Sequence, residues 1–292
     1  MKNGGFFKSN WAYLIWFVFY FVTAVLMIYA FLQNIVLSLL ITVLAYGISV
    51  VFALSPVGEA LARVLEGAKP VQTQQDKNYL LPLFEEVYTE ALRTTPTLNK
   101  NIKIYISESM AVNAFALGRQ TITVTRGALY AFSKYELQGV LSHEFGHMVN
   151  GDTKALLIKL VGNGFFSLMV FVFRLVASLL QTISAVLSSK NIVIVAISFV
   201  LFGTRFLIDL SIFLFIFIGD VFIALNSRYS ELLADEYAHI IGYGEDLKNA
   251  LYIISRLEMP AKLTITERLK ASHPYTTARI EQLERLEAQS AC

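Results

Sequence analysis

Cysteine is nearly absent from this 292-residue chain: Cys292 is the only one. That excludes a disulfide framework and a cysteine-rich metal site, and it suits a reducing compartment for the part in water. Charge is scarce too. Charged residues make up 16% of the chain, against about 25% in a typical soluble domain. Hydrophobic residues make up 55%, which points to a membrane protein. A net charge of +2 and the lack of a basic tail give no ground for nucleic-acid binding. Histidine is also rare, with only His143, His147, His239 and His273 present. The chain shows no internal repeat and no low-complexity linker.

What the chain does have is long uncharged runs. No charged residue occurs between Lys8 and Glu59. About 20 helical residues cross a ~30 Å hydrocarbon core. The run therefore holds two spans, Trp11–Leu32 and Ile35–Leu54, joined at the polar pair Gln33-Asn34. Trp11, Tyr13, Trp16 and Tyr20 suit an interfacial belt. The first span is too long for a cleaved signal peptide, and no small-residue cleavage site follows it. A second pair is expected at Leu160–Leu187 and Ile192–Ile218. It contains Arg174, Arg205 and Asp209. A central charge costs about 2.5–3.5 kcal/mol, and each strong apolar residue returns about 0.3–0.6, so both segments should insert. Arg205 and Asp209 are four apart and share a helix face, either as a structural ion pair or beside a hydrated cavity. Lys2, Lys8, Arg63, Lys69, Lys77, Lys154, Lys159 and Arg228 flank the spans on one side, and Lys190 alone lies in the outer turns. The bias places both termini and the soluble portion in the cytoplasm.

Four regions follow: a membrane hairpin over 1–54, soluble sequence over 55–159, a second membrane pair over 160–219, and soluble sequence over 220–292. Ser55-Pro56 starts a helix. Asp76 to Thr94 has helical periodicity, with Pro82 near its start. Asn101–Ser107, Val112–Leu117 and Thr121–Thr125 read as short strands. Arg126–Phe132 is a short helical link. Helices are expected from Ser227 to near Gly242, from Glu245 to Glu258, and from Thr276 to about Ala288.

Leu141-Ser142-His143-Glu144-Phe145-Gly146-His147-Met148 is the centre of the chain. Ser133-Lys134-Tyr135-Glu136 has the form of a capping box, and Gly151-Asp152 gives a stop. On a helix, His143 and His147 lie one turn apart on one face and can reach one metal ion, for which Zn²⁺ is the usual guest. Glu144 lies beside them, placed to take a proton from an activated water. A catalytic zinc needs a third protein ligand. Glu231 is the best candidate, with Asp235 one turn later to hold the far nitrogen of a ligating histidine. That chemistry is metal-assisted peptide hydrolysis.

With His-Glu-Phe-Gly-His, the two spans after it, Ser-Arg-x-x-Glu-x-x-x-Asp and the paired spans at the start, the chain resembles the HtpX-type membrane zinc metalloproteases over nearly its full length. These are related to the zinc-dependent CAAX prenyl-protein proteases. The resemblance implies an α+β, mostly helical protein, with four transmembrane helices and a discontinuous cytoplasmic zincin-like domain bearing a small β-sheet. It implies one Zn²⁺ per subunit on His143, His147 and Glu231, with Glu144 as base and Asp235 behind a ligand. Asn113-Ala114-Phe115 resembles the edge-strand motif that grips substrate backbone. The other reading is a loop asparagine capping its own turn. His273-Pro274 with Arg279 resembles a C-terminal signature that puts His273 at the oxyanion or substrate and Arg279 beside it. A structural turn is the alternative.

The implied function is endoproteolysis of misfolded or damaged membrane proteins at the cytoplasmic face of a bacterial inner membrane, as part of quality control under stress. The partners are the bilayer and membrane-protein substrates, with self-cleavage or a homo-oligomer compatible with this. A prenyl-protein protease shares the metal chemistry, but this chain is shorter and has fewer spans. A non-catalytic adaptor with a structural metal site would have no need of Glu144. Cleavage inside the bilayer would need the motif within an apolar span, yet Lys134, Glu136, Asp152 and Lys154 flank it.

Overall fold

The structure, a computed structural model, describes residues 5–159, 228–257 and 276–290, with single positions between Leu168 and Phe217. Helices α1 (Gly5–Leu32) and α2 (Ile35–Ala53) form a packed hairpin. Asn34 ends it by accepting the Leu37 N–H at 3.1 Å, the cap that starts α2. Both helices are long and apolar enough to cross a bilayer, with mean hydropathies of 2.1 and 2.6. Their outer faces expose Val18, Leu26, Val36, Leu44, Ile48 and Val51, an apolar surface that suits lipid and not water.

The inner face of α1 differs from the expected interfacial belt. Ala12, Trp16, Tyr20 and Ala24 recur every four residues and are buried. Trp16 and Tyr20 pack on each other at 4.1 Å between ring centroids. They are core side chains, and Trp11, 40% exposed, is left to face outward. Among the described residues, α1 and α2 are the two helices that meet the length and composition for a span. Most of the second expected pair, with Arg205 and Lys190, lies outside the described residues. Its described positions are all helical, and there Asp209 Oδ1 meets Arg174 Nε at 2.8 Å.

After the hairpin, α3 (Pro56–Leu65) starts at Ser55, whose Oγ accepts the Gly58 N–H at 3.2 Å. β1 (Ala68–Pro70) and α4 (Gln74–Thr94) follow. Pro82 lies inside α4 and not near its start, because the helix begins at Gln74, after the Thr73 cap and two residues earlier than expected. β2 (Lys103–Ser107), β3 (Ala114–Leu117) and β4 (Thr121–Thr125) complete a sheet of order β1-β2-β4-β3. β2 and β4 run parallel, and the outer pairs are antiparallel. Among the described residues β3 is thus an edge strand, paired on one side by β4.

α5 (Arg126–Ala131) leads into α6 (Lys134–Asn150), which carries both motif histidines. The capping box is present: Ser133 N–H donates to Glu136 Oε2 at 2.7 Å. From Leu137 onward α6 is almost wholly buried. Phe145 stacks on Tyr88 at 5.4 Å and sits 5.7 Å from Phe84, which ties α6 to α4. Beyond it lie α7 (Asp152–Leu157), α8 over 228–240, α9 (Gly244–Leu257) and α10 (Thr276–Ser290). Ala238, Leu247, Leu251, Ile280 and Leu283 join the last three helices into a small core.

Phe145 is fully buried between two aromatic rings. Phe145→Ala should therefore lower unfolding stability by about 3–5 kcal/mol. Thermal unfolding in detergent checks this, and an unchanged midpoint would contradict it.

Candidate metal centre and active site

Close helix approach builds the site. A Cβ on Gly146 would lie 2.8 Å from Ala234 Cα, so only glycine lets α6 and α8 touch here. A Cβ on Gly139 would lie 2.2 Å from Leu247 N, so α9 closes on the same helix. The first approach sets Glu231 against the two motif histidines. His143 Nε2 and His147 Nε2 are 3.1 Å apart. Glu231 Oε2 is 3.3 Å from the first, and Oε1 is 3.3 Å from the second. A tetrahedral ion with bonds of about 2.0–2.1 Å places its ligands about 3.3 Å apart. Among the described residues this is the one His/Asp/Glu group spaced to share an ion.

The donor chemistry fits a divalent metal. His143 Nδ1 lies 2.8 Å from Asp235 Oδ1, and His147 Nδ1 lies 2.9 Å from Asp152 Oδ2. Ionised carboxylates only accept, so each neutral ring carries its proton on Nδ1 and aims a lone pair from Nε2 at the common point. Two such lone pairs facing a carboxylate repel unless a cation lies between them. The surrounding charge points the same way. Glu144, Glu231, Asp235 and Asp152 gather here, and the Arg279 guanidinium lies among them.

Arg279, expected in the site beside His273, stands against the acids of the metal centre. It lies 5% exposed and donates from Nε and Nη2 to the two Asp235 oxygens at 2.8 and 2.7 Å. Its Nη1 is 2.9 Å from Glu231 Oε2. Burial works against its charge, but Asp235 and Glu231 hold its pKa above the usual arginine value. Burial is also the largest influence on Asp235 and raises its pKa, yet Arg279 and His143 bring it below the ordinary carboxylate value. The structure therefore brings together His143, Glu144, His147, Glu231, Asp235 and Arg279. His273 lies outside the described residues. Asn113 sits exposed just before β3, with its backbone bound to Thr125 and no side-chain hydrogen bond among the described residues, so it does not cap its own turn. His239 faces away and meets Ser290 at 2.9 Å.

Asp152 was not foreseen. Gly151 ends α6 at φ 84° in the left-handed region, and its N–H donates to His147 O at 3.1 Å. The bend folds Asp152 back onto His147, so α6 does not run straight into the next segment. Ser230 donates to the same Asp152 oxygen. The Gly-Asp pair read as a helix stop was the available signal.

A HExxH helix under a small mixed sheet, closed by an acid from a later helix, defines the HExxH metallopeptidase class. The chain belongs to peptidase family M48, whose pattern it matches over residues 75–287. It is similar to Protease HtpX of Shewanella denitrificans, 31% identical over 141 residues that make up 47% of this chain and 46% of that one. It is 27% identical to Protease HtpX of Shewanella pealeana over 264 residues, 84% of this chain and 88% of that one. The chain thus spans about half the length of the first relative and most of the second. The crystal structure of S. mikatae Ste24p shares the fold, with a TM-score of 0.50 and 19% identity, over 90% of this chain and 61% of that chain.

Two outcomes follow. Asp152→Asn replaces the charged acceptor that fixes the His147 ring with a neutral amide and should weaken metal affinity about 10–100-fold, measured by competition with a zinc chelator. Burial lowers the His147 pKa, but bonds to Asp152 and Glu231 and the Glu231 and Glu144 charges hold it well above its ordinary value. Protonated His147 thus stabilises the metal-free fold fully below the unfolded value of about 6.5, and this is lost as pH rises through the folded value. Zinc competes with that proton, so added zinc should raise the thermal midpoint more at about pH 9 than at about pH 6. Equal shifts at both would contradict the assignment.

Proposed function

We propose that this chain is a membrane-integrated, zinc-dependent endopeptidase that cuts misfolded or damaged membrane proteins at the cytoplasmic face. The carrying observation is the meeting of His143, His147 and Glu231 around one ion-sized point, with Glu144 buried on the same helix. Zinc bound there supplies Lewis acidity towards water and a peptide carbonyl. Glu144 takes the proton of the attacking water and delivers it to the leaving amine. Its placement is supported by its charge acting on both His147 and Arg279. Asp235 and Arg279 fix the His143 ring, and Asp152 with Ser230 fixes that of His147. The free edge of β3 takes an extended peptide by strand addition, with the Asn113 side chain free to meet it.

The membrane assignment rests on α1 and α2 and on the contact of α1 with α6 and α7, which sets the site against the hairpin. The Lys and Arg flanks support a cytoplasmic orientation. A site there meets loops and tails of other membrane proteins, which supports a quality-control role.

Casein cleavage and zinc content, measured in detergent, test this reading. Glu144→Gln should keep its zinc and lose about 100-fold or more in rate. Glu231→Gln should lose zinc as well as activity. Wild-type cleavage rates in Glu144→Gln would overturn the base, and full zinc in Glu231→Gln would overturn the ligand.

A further inference from the structure

A buried acid outside the metal site links it to the membrane hairpin. Glu59 is 5% exposed on α3, just past the first pair of apolar helices. Its Oε2 accepts the Arg119 N–H at 3.0 Å. Its Oε1 accepts the Gln120 N–H at 3.0 Å and the Thr121 hydroxyl at 2.6 Å. Arg63 Nη1 donates to Thr121 Oγ1 at 3.0 Å, and its guanidinium lies 5.1 Å over the Tyr105 ring. A single carboxylate thus takes three hydrogen bonds from the turn between β3 and β4. Such charge-assisted bonds are strong.

Both sides of this contact are held. On one, a Cβ on Gly58 would lie 2.3 Å from Phe52 O, so α3 folds tightly over the end of α2. Glu59 is therefore held at the foot of the hairpin. On the other, Gly118 has φ +60°, and a Cβ there would lie 2.5 Å from Glu59 Oε2. Thr153 donates to Gly118 O at 2.6 Å. Thr153 follows Asp152, which holds His147. The turn is pinned between the hairpin elbow and the segment behind a metal-site histidine.

We propose that Glu59 is a positioning residue. From the hairpin elbow it sets the β3–β4 turn, and so fixes where the edge strand β3 stands relative to the metal centre and to an extended substrate. The substrate half of this rests on the strand-addition reading above. The hairpin is then part of the substrate-binding apparatus as well as an anchor.

Glu59→Gln keeps the shape and removes the charge and one acceptor. Gly118→Ala disturbs the same carboxylate from the turn side and serves as the second variant. Each full-length protein is purified in detergent. Zinc content, amide hydrogen exchange over residues 114–121, and kcat and KM on an extended fluorogenic peptide are then measured. In both variants exchange should quicken over 114–121 and KM should rise roughly tenfold, with kcat within about twofold and zinc unchanged. Unchanged exchange overturns the proposal. So does a fall in kcat and zinc together with KM unmoved, which marks a merely structural acid. If wild type cleaves nothing, the proposed function fails, while the exchange data still decide whether Glu59 sets the turn.

Discussion

Three electron pairs aimed at one point in a nearly dry pocket are the constraint on which the rest of this chain depends. Left alone, the two imidazole nitrogens and the Glu231 carboxylate repel. The fold holds them there by fixing the far side of each ring: Asp235 with Arg279 for His143, and Asp152 with Ser230 for His147. Four helices meet for this purpose. α6 brings both rings, α8 brings Glu231, Ser230 and Asp235, α10 brings Arg279, and the start of α7 brings Asp152. Gly146 lets the first two come close enough.

The excess of carboxylates has a further consequence. Without metal the pocket draws protons onto its imidazoles, as the upward pull on His143 and His147 against strong desolvation shows. Arg279 limits the imbalance and bonds two acids that do different jobs. It also ties the last helix to the centre, helped by Gln282, whose side chain donates to Leu232 O at 2.9 Å. The site is thus closed by sequence far from the motif.

The sequence revealed what periodicity and spacing encode. His143 and His147 are one helical turn apart, and the carboxylate pair Glu231 and Asp235 repeats that spacing on a second helix. The capping box, β2, β3 and β4 were legible for the same reason. Contacts set by tertiary approach were not. Nothing local says that Trp16 and Tyr20 face inward, because an aromatic on an apolar helix reads the same in lipid as in a core. β1 is three residues that exist only by pairing with β2. Asp152 depends on the left-handed bend at Gly151, and Glu59 reaches a turn sixty residues on. The membership in peptidase family M48 and the likeness to Protease HtpX agree with the resemblance carried by the motifs. Zinc, substrate and orientation rest on the chemistry argued above.

The membrane hairpin and the peptidase core are bonded to each other through α3, where Glu59 holds a turn whose other side leads to Asp152 and His147. All of this presupposes an ion bound by these three side chains. X-ray absorption at the zinc edge of the purified protein tests that most directly. The account predicts two imidazole nitrogens and carboxylate oxygen at about 2.0–2.1 Å, with the outer-shell scattering of two histidine rings. A shell of oxygen alone, without histidine scattering, would contradict it.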